Sequence, residues 1–447
     1  MLAVKTYLVS SYIPNAELEM GFIKALNKCA EHKTAELLFI QNQFNQKADL
    51  DTPYNDALEE EVLPFKVRGD KKINENLYVS SYASLINIID PLSGMESDAA
   101  KMGCFIMGFP RQRFKTVPRM LRESHTPRAI WCTGSISQKY YKNTKSGRRV
   151  SKYHLIGALI IEVYSDKKFQ IRQIEWDGEG FYDLNHYYTA DKVTEDKHAV
   201  EAVSLGDDHA LFVNPIVVNE TIRLLQRIKP RKIFHHDTLD CASISHHVEG
   251  KHLTKAIINL TLEEEGEVTV NYLNKMVMST EKWKAEHYAV ASNHPEHLHK
   301  YLDEARYIED EFNYVLGHKL AIREYDHKDS LEWFLKDYLS KYAKLPRFKF
   351  LKRKDSFKVK GIEMADHGDE GSNGSKGNSK EKGIVYDGQS ITGHTHAPEI
   401  GVWGNFVNGT MTFLSLSYCK DSGSSSWLNT HTAVYKNGKR THLHIIL

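Results

Sequence analysis

The sequence predicts an α/β fold in two units, and three observations predict it. Short runs rich in β-branched and aromatic residues alternate with segments of helical apolar spacing. Closely spaced short strands give way to strand–helix alternation across the polar stretch TADKVTEDKHA, Thr189 to Ala199. In the second unit the apolar runs end in polar residues, as strands do in open α/β sheets whose ligands gather beyond the strand carboxyl ends.

The chain opens with the strand-like KTYLVSSY. Asn15 reads as a helix N-cap, and Leu18, Phe22, Leu26 and Cys29 recur at helical spacing up to a second strand, AELLFI. This βαβ-type opening lacks a glycine-rich turn, so no phosphate-binding loop is expected in it. From Met102 to about Lys192 the runs CFIMGF, RAIWCTG, HLIGALIIEVYS and KFQIRQIEW read as short strands broken by Gly, Pro and Asp. Residues 1–195 are expected to form a separate N-terminal α/β domain, and the sequence leaves open whether it binds DNA or mediates oligomerisation. In residues 196–447, VEAVSLG, KIFHH and HYAVAS read as strands with helices between them. A charged helical stretch and a basic, aromatic one, LPRFKFLKRKDSFKVK, form an expected insertion at about 297–358, and the tail from Trp403 returns to short strands.

Of the 447 residues, 41% are hydrophobic, enough to bury a sizeable core. Lys and Arg number 59 against 58 Asp and Glu, so no overall field attracts nucleic acid or an acidic membrane, and an anionic ligand must be held by local features. There is no run of ~18 apolar residues and no cleavage-site pattern, so a soluble, unexported, cytoplasmic protein with no membrane partner is expected. Five scattered cysteines without a paired short spacing argue against a disulfide framework and against a thiolate zinc site.

Five elements of the second half, four of them preceded by apolar strands, end in metal-competent residues. They are LGDDHA with Asp207 and His209, FHHDTLD with Asp237, ASNHPE with Asn293 and His294, MADHGD with His367, and TGHTHA with His394 and His396. Residues i and i+2 of a strand point the same way, so Asp207 with His209, and His394 with His396, are each expected to present two side chains to one place. A single element of this kind is most often a surface or satisfied core group. Five in order are not readily a coincidence among 23 histidines.

The order Asp-x-His, Asp, Asn-His, His-Gly, Gly-His-x-His resembles the calcineurin-like metallophosphoesterase superfamily over about Ser204 to Trp427. The resemblance implies a two-sheet sandwich flanked by helices and two divalent metal ions. Asp207, His209, Asp237 and His396 would hold one ion, and Asp237, Asn293, His367 and His394 the other, with Asp237 bridging. His294 would face the scissile phosphate as the catalytic residue. Two cations about 3.5 to 4 Å apart supply hydroxide at neutral pH and neutralise phosphate charge. Donors without thiolate suit Mn²⁺, Fe²⁺ or Zn²⁺ better than Ca²⁺; Mn²⁺ is the expected metal, with Fe²⁺, Zn²⁺ and Mg²⁺ as alternatives. The chain departs from the family pattern at His236, where a glycine is usual, and at Pro295, where an acidic residue usually follows the histidine.

Other residues are weaker candidates. Asp240 resembles a position that holds a ligand by a hydrogen bond, while His246 and His247 are candidates for touching substrate phosphate. HGDEGSNGSKGNSKEKG, His367 to Gly383, reads as too glycine-rich for a helix or strand, and as a surface loop or one that covers the site with Lys376 toward phosphate. The loop Lys420 to Leu428 invites the same reading. Three basic stretches interleaved with aromatics, Pro110–Arg122, Gln138–His154 and Leu345–Lys360, suit phosphate contact and base stacking.

Over the whole chain, LRESHTPRAIWCTGSIS, KFQIRQIEWDGEGFYDL, SLGDDHA and DHGDEGSNGSKG resemble phage-encoded proteins related to the early host-DNA-degrading protein of large tailed phages, whose nuclease module is similar to SbcD-type exonucleases. This implies a Mn²⁺-dependent DNase, a two-metal phosphodiesterase with DNA as partner, acting in host cytoplasm. A second copy of the chain is a further expected partner. So is a separate ATPase, because the chain has no Walker motif of its own. An esterase acting on a small nucleotide or phosphoprotein is the alternative, and a scaffold without chemistry the third reading.

Overall fold

The computed structural model describes residues 3–43, 61–120, 128–246, 259–414 and 423–445. A six-stranded sheet from the second half carries the site. Its order is Phe348–Phe350, Glu286–Ala289, Lys232–His235, Val200–Ser204, Thr430–Tyr435 and Arg440–His444. The first four strands are parallel neighbours, and the last two pairings are antiparallel. The parallel strands are short and apolar because both faces are covered. Successive residues point to opposite faces: Val203 and Ile233 join a core with the helices Pro215–Ile228 and Leu262–Ser279, while Ala202 and Phe234 face a second core. Both helices start on defined caps. Asn214 accepts from the Ile216 N–H ahead of Pro215, and Thr261 forms a reciprocal capping box with Glu264.

The second core joins the halves. Ala202, Phe234, Tyr288 and Val434 share it with Val9, Ile106, Phe114, Trp131 and Leu159. The opening βαβ unit pairs Lys5–Tyr12 in parallel with Ala35–Gln41 through the helix Met20–Lys33, and Gly157–Val163 and Phe169–Glu175 extend that sheet antiparallel. The helix cap position is Glu19, not Asn15, whose φ of 62° places it in a turn before the helix.

A seven-stranded sheet is built around the long strand Cys104–Val117. That strand pairs with Leu77–Ala83 and Arg128–Gly134 from the first half and with Glu399–Ile400 from the second. The two halves expected as separate domains therefore share a sheet and a core. The physical reason is that Glu399–Ile400, Phe406–Val407 and Ile391–Thr392 are two-residue strands and find their sheet only through the long strand. The basic stretch Pro110–Arg122 is largely this strand, and so is not a free nucleic-acid surface. Arg111 and Arg113 are buried, with Arg113 held by Asp90 at 2.9 Å and Glu399 at 3.4 Å.

The expected insertion also ends earlier than read. The helices Glu296–Asp303, Tyr314–His327 and Ser330–Lys336 lie within it, but Phe348–Phe350 is an edge strand of the central sheet. Among the described residues no helix is long and apolar enough to cross a membrane.

A shared core has a direct consequence. Residues 196–447 expressed alone expose the core face otherwise covered by Val9, Ile106, Phe114, Trp131 and Leu159, and are expected to show no cooperative unfolding transition by calorimetry or near-ultraviolet circular dichroism. A sharp transition at the full-length melting temperature would contradict the shared core.

Candidate metal centre

Five strands lead to one place. Asp207 and His209 follow Val200–Ser204, Asp237 follows Lys232–His235, and Asn293 and His294 follow Glu286–Ala289. His367 follows Ile362–Glu363, and His394 and His396 follow Ile391–Thr392.

Asp207, His209, Asp237 and His396 bring one donor atom each to within 4.8 Å of one another. His396 Nε2 lies 2.9 Å from His209 Nε2 and 3.1 Å from Asp207 Oδ2, and His209 Nε2 lies 3.7 Å from Asp237 Oδ2. Asp237 Oδ2 is also 3.1 Å from His367 Nε2. Asn293 Oδ1 is 3.1 Å from both His367 Nε2 and His394 Nδ1. Asp237, 1% exposed, thus stands between two donor groups.

Strand alternation, expected to pair Asp207 with His209 and His394 with His396, does not bring these pairs together. The strands stop at Ser204 and Thr392, and the donors sit on the loops beyond. His209, Asp237, His394 and His396 have φ of 46°, 45°, 74° and 57°, a left-handed conformation that costs a residue with a Cβ roughly 1–2 kcal/mol. The turns send His394 to Asn293 and His396 to Asp207 and His209, so the histidine pair serves two neighbouring points. The glycine before the pair is a matter of space. A Cβ on Gly393 would lie 2.1 Å from Asp207 Oδ1 and 3.3 Å from the His236 ring.

Asp240 backs the donors: its Oδ1 is 2.7 Å from His209 Nδ1, which fixes the ring and leaves Nε2 facing His396. The same residue stands behind His294, whose Nδ1 is 3.4 Å from the Asp240 carbonyl oxygen and 4.0 Å from its Oδ1. Glu296 is turned to Arg353 at 3.0 Å instead. His236 is buried, with Nδ1 3.3 Å from His367 Nδ1 and Nε2 3.0 Å from Ser204 Oγ. That hydroxyl accepts from Asn408 at 2.7 Å, so the side chain replacing the expected glycine is held from behind.

Sequence reasoning missed Asp208. It is fully buried, accepts from Tyr272 Oη at 2.7 Å, and lies 2.7 Å from His235 Nδ1. His235 continues to His287 at 3.0 Å, and His287 to Thr280 Oγ1 at 3.0 Å. The available signal was the doubled aspartate in LGDDHA: neighbouring positions serve opposite sides, one for the centre and one for the scaffold behind it.

His247 lies outside the described residues. His246 is half-buried and packs edge-on against His297, while Lys376 is exposed on a turn closed by its bridge to Glu370. The glycine-rich stretch is not all loop: Asn378 caps a helix over Ser379–Val385. From the loop Lys420 to Leu428, Trp427 packs edge-on to His396 at 4.3 Å between ring centroids.

The electrostatics follow from burial among opposite charges. Burial opposes charge on His209 and His367, but the hydrogen bond and charge of Asp240 on the first, and the charges of Asp237 and Asp207 on the second, raise both to about 9. Burial would raise Asp207, yet the His367 charge and the His396 hydrogen bond bring it down to about 2. His236 is pushed down to about 4 by burial and by His367. His394 and His396 are lowered chiefly by burial.

The donor set fits a cation. Asp207 Oδ1 is buried without a hydrogen-bond partner, and the imidazole nitrogens turn toward carboxylates and one another. These buried His and Asp groups could hold a metal ion.

The chain is similar to Protein A1 of Escherichia phage T5, 28% identical over 463 aligned residues that cover 98% of this chain and 81% of that protein. The likeness supports a phage-related protein. No protein-family model matches the chain, and no solved structure matches it.

Two outcomes are expected. Gly393→Ala forces Asp207 or the His394 turn to move and should cost about 1–3 kcal/mol of stability together with most divalent-metal binding, read by thermal unfolding and by metal content after dialysis. Retained metal would contradict the close approach. In metal-free protein the raised pKa values of His209 and His367 stabilise the fold fully below about 6.5, and that contribution is lost as pH rises through about 9. The melting temperature should therefore fall between pH 6.5 and 9.5, with a smaller fall in His209→Asn, while metal affinity rises over the same interval because ligands must lose protons. The same fall in the variant would contradict the assignment.

Proposed function

We propose that this chain is a metal-dependent DNA phosphodiesterase with a metallophosphoesterase-type sandwich, encoded by a phage and acting in degradation of host DNA. The observation that carries the reading is the convergence of two donor groups on one buried carboxylate, Asp237. Asp207, His209, Asp237 and His396 would hold one divalent ion, and Asp237, Asn293, His367 and His394 would hold a second, with Mn²⁺ the expected metal. When bound, the ions make hydroxide available near neutral pH and offset phosphate charge.

The chain's own groups supply position and a proton. Asp237 sets the separation of the two groups by presenting one carboxylate to both, and its Oδ1 accepts from the His294 N–H at 3.3 Å, which ties the two loops together. The His294 side chain, 25% exposed and edge-on to His209 at 4.6 Å, reaches the open side of the centre. An imidazole there can protonate the leaving alkoxide.

Two surfaces support DNA as the substrate. Within Gln138–His154, Lys139, Lys142, Lys145, Arg148, Arg149 and Lys152 are exposed beside Tyr140, a polycation with an aromatic as backbone contact and stacking require. In Leu345–Lys360, Arg347, Lys349 and Arg353 are engaged with Glu281, Glu286 and Asp369, while Lys352, Lys354, Lys358 and Lys360 remain exposed. Similarity to a phage T5 protein agrees with the phage origin.

Digestion of end-labelled linear and covalently closed circular DNA by metal-stripped protein, with Mn²⁺, Mg²⁺, Zn²⁺ or none restored, tests the reading. Asp237→Ala should abolish cleavage. His294→Ala should keep its metal while slowing turnover by ~10² to 10⁴, the range for loss of general acid help. Normal cleavage by Asp237→Ala would overturn the site, and hydrolysis of a small phosphodiester without DNA cleavage would favour a small nucleotide or a phosphoprotein as substrate.

A further inference from the structure

A cleft of about 210 Å³ lies beside the centre. Thr238, which follows Asp237, and Ser292 and Pro295, which flank Asn293 and His294, form one wall. The other walls are the edge strand Phe348–Phe350 with the residues after it, and the turn between the helices Tyr314–His327 and Ser330–Lys336. Val290, Leu331, Phe350 and Leu351 make the cleft largely apolar. Two polar groups in it are unanswered. Ser292 and Ser330 are 1% and 0% exposed, and the hydroxyl of each is buried without a hydrogen-bond partner among the described residues. A buried hydroxyl left in that state is costly, so a ligand that reaches both gains from each. At the rim the carboxylates are engaged: Glu296 with Arg353 at 3.0 Å, Asp329 with Arg323 at 2.6 Å and Glu332 with Lys336 at 2.9 Å. Lys328 and Lys352 are exposed there, and among the described residues no ion pair takes up their charge.

The occupant that fits has a ring-sized apolar body, a polar edge and a negative charge. An apolar cavity of ~150 Å³ already takes benzene, so this cleft takes a single ring system and not a stack of several. We propose that one unpaired base of the strand being cut enters the cleft, with its polar edge on Ser292 and Ser330 and its phosphate at Lys328 and Lys352. The choice of a nucleotide among anionic rings rests on the phosphodiesterase reading, and it narrows the substrate to a polynucleotide with an unpaired position near the cut. Lys352 belongs to the basic surface Leu345–Lys360, so a strand lying on that surface passes the mouth of the cleft. A base can enter only when it is out of the duplex stack. A hydroxyl both donates and accepts, so the contact tolerates any base.

The test places one abasic nucleotide at successive positions of a single-stranded oligonucleotide, with bis(p-nitrophenyl) phosphate as the small substrate and full-length protein loaded with Mn²⁺. At one position near the cut it should raise KM about tenfold or more, the range for losing a base from its contact. Ser330→Leu fills the cleft. It should raise KM for the intact oligonucleotide by a similar factor, erase the abasic effect and change the small diester several-fold less. Lys328→Gln, on the surface, should lower the salt slope of oligonucleotide binding by about one. Tolerance of an abasic nucleotide at every position, or an abasic effect of full size in Ser330→Leu, would overturn the pocket while leaving the nuclease standing. A deoxynucleoside monophosphate should compete with the oligonucleotide. One that binds beside it without competing would give the cleft to a free nucleotide and overturn the assignment to the strand. A wild-type protein that cleaves the small diester but no polynucleotide would overturn the nuclease reading and the occupant of the cleft with it.

Discussion

Asp237 is a carboxylate taken almost wholly out of water, and its charge must be balanced where it stands. The effective cost of burying such an ion is several kcal/mol unless partners of opposite charge and hydrogen bonds replace the lost water. Burial opposes its ionisation, but the charges of His367 and His294 and a hydrogen bond from His367 hold it well below the usual carboxylate range. Protons on His209 and His367 thus do, in the metal-free chain, what cations would do in the loaded one. The rest of the local structure serves to keep those partners in place: Asp240 behind His209, Ser204 and Asn408 behind His236, and the Asp208–His235–His287 chain beneath the strand ends.

Holding that arrangement requires both halves of the chain. The central sheet delivers Asp207, Asp237 and Asn293, but His394 and His396 come from a loop between two-residue strands that are secured by Cys104–Val117 of the first half. The left-handed backbone at His209, Asp237, His394 and His396 is unfavourable locally and persists because the surrounding core and hydrogen bonds over-determine it. Gly393 permits the closest approach of that loop to Asp207.

The residues of the centre were legible in the sequence because their chemistry allows few substitutes: imidazole, carboxylate and carboxamide at the ends of apolar runs. The βαβ opening and the central strands were legible for the same reason, since a strand buried on both faces must be continuously apolar. Long-range pairing was not. Nothing in local periodicity shows that Ile400 lies opposite Phe114, so the first half looked like a domain of its own and Arg111 and Arg113 looked like surface. The turns that aim His394 and His396 were equally hidden, because strand alternation is a rule about strands and these residues lie past the end of one. The helix Ser379–Val385 escaped notice among glycines, being short and dependent on the Asn378 cap.

Electron paramagnetic resonance of metal-stripped protein reloaded with Mn²⁺ tests most directly whether one buried carboxylate serves two ions. Two ions bridged by Asp237 predict a stoichiometry of two and an exchange-coupled spectrum that reverts to isolated Mn²⁺ in Asp237→Asn. One ion per chain with the six-line spectrum of isolated Mn²⁺ in the wild type would contradict the account.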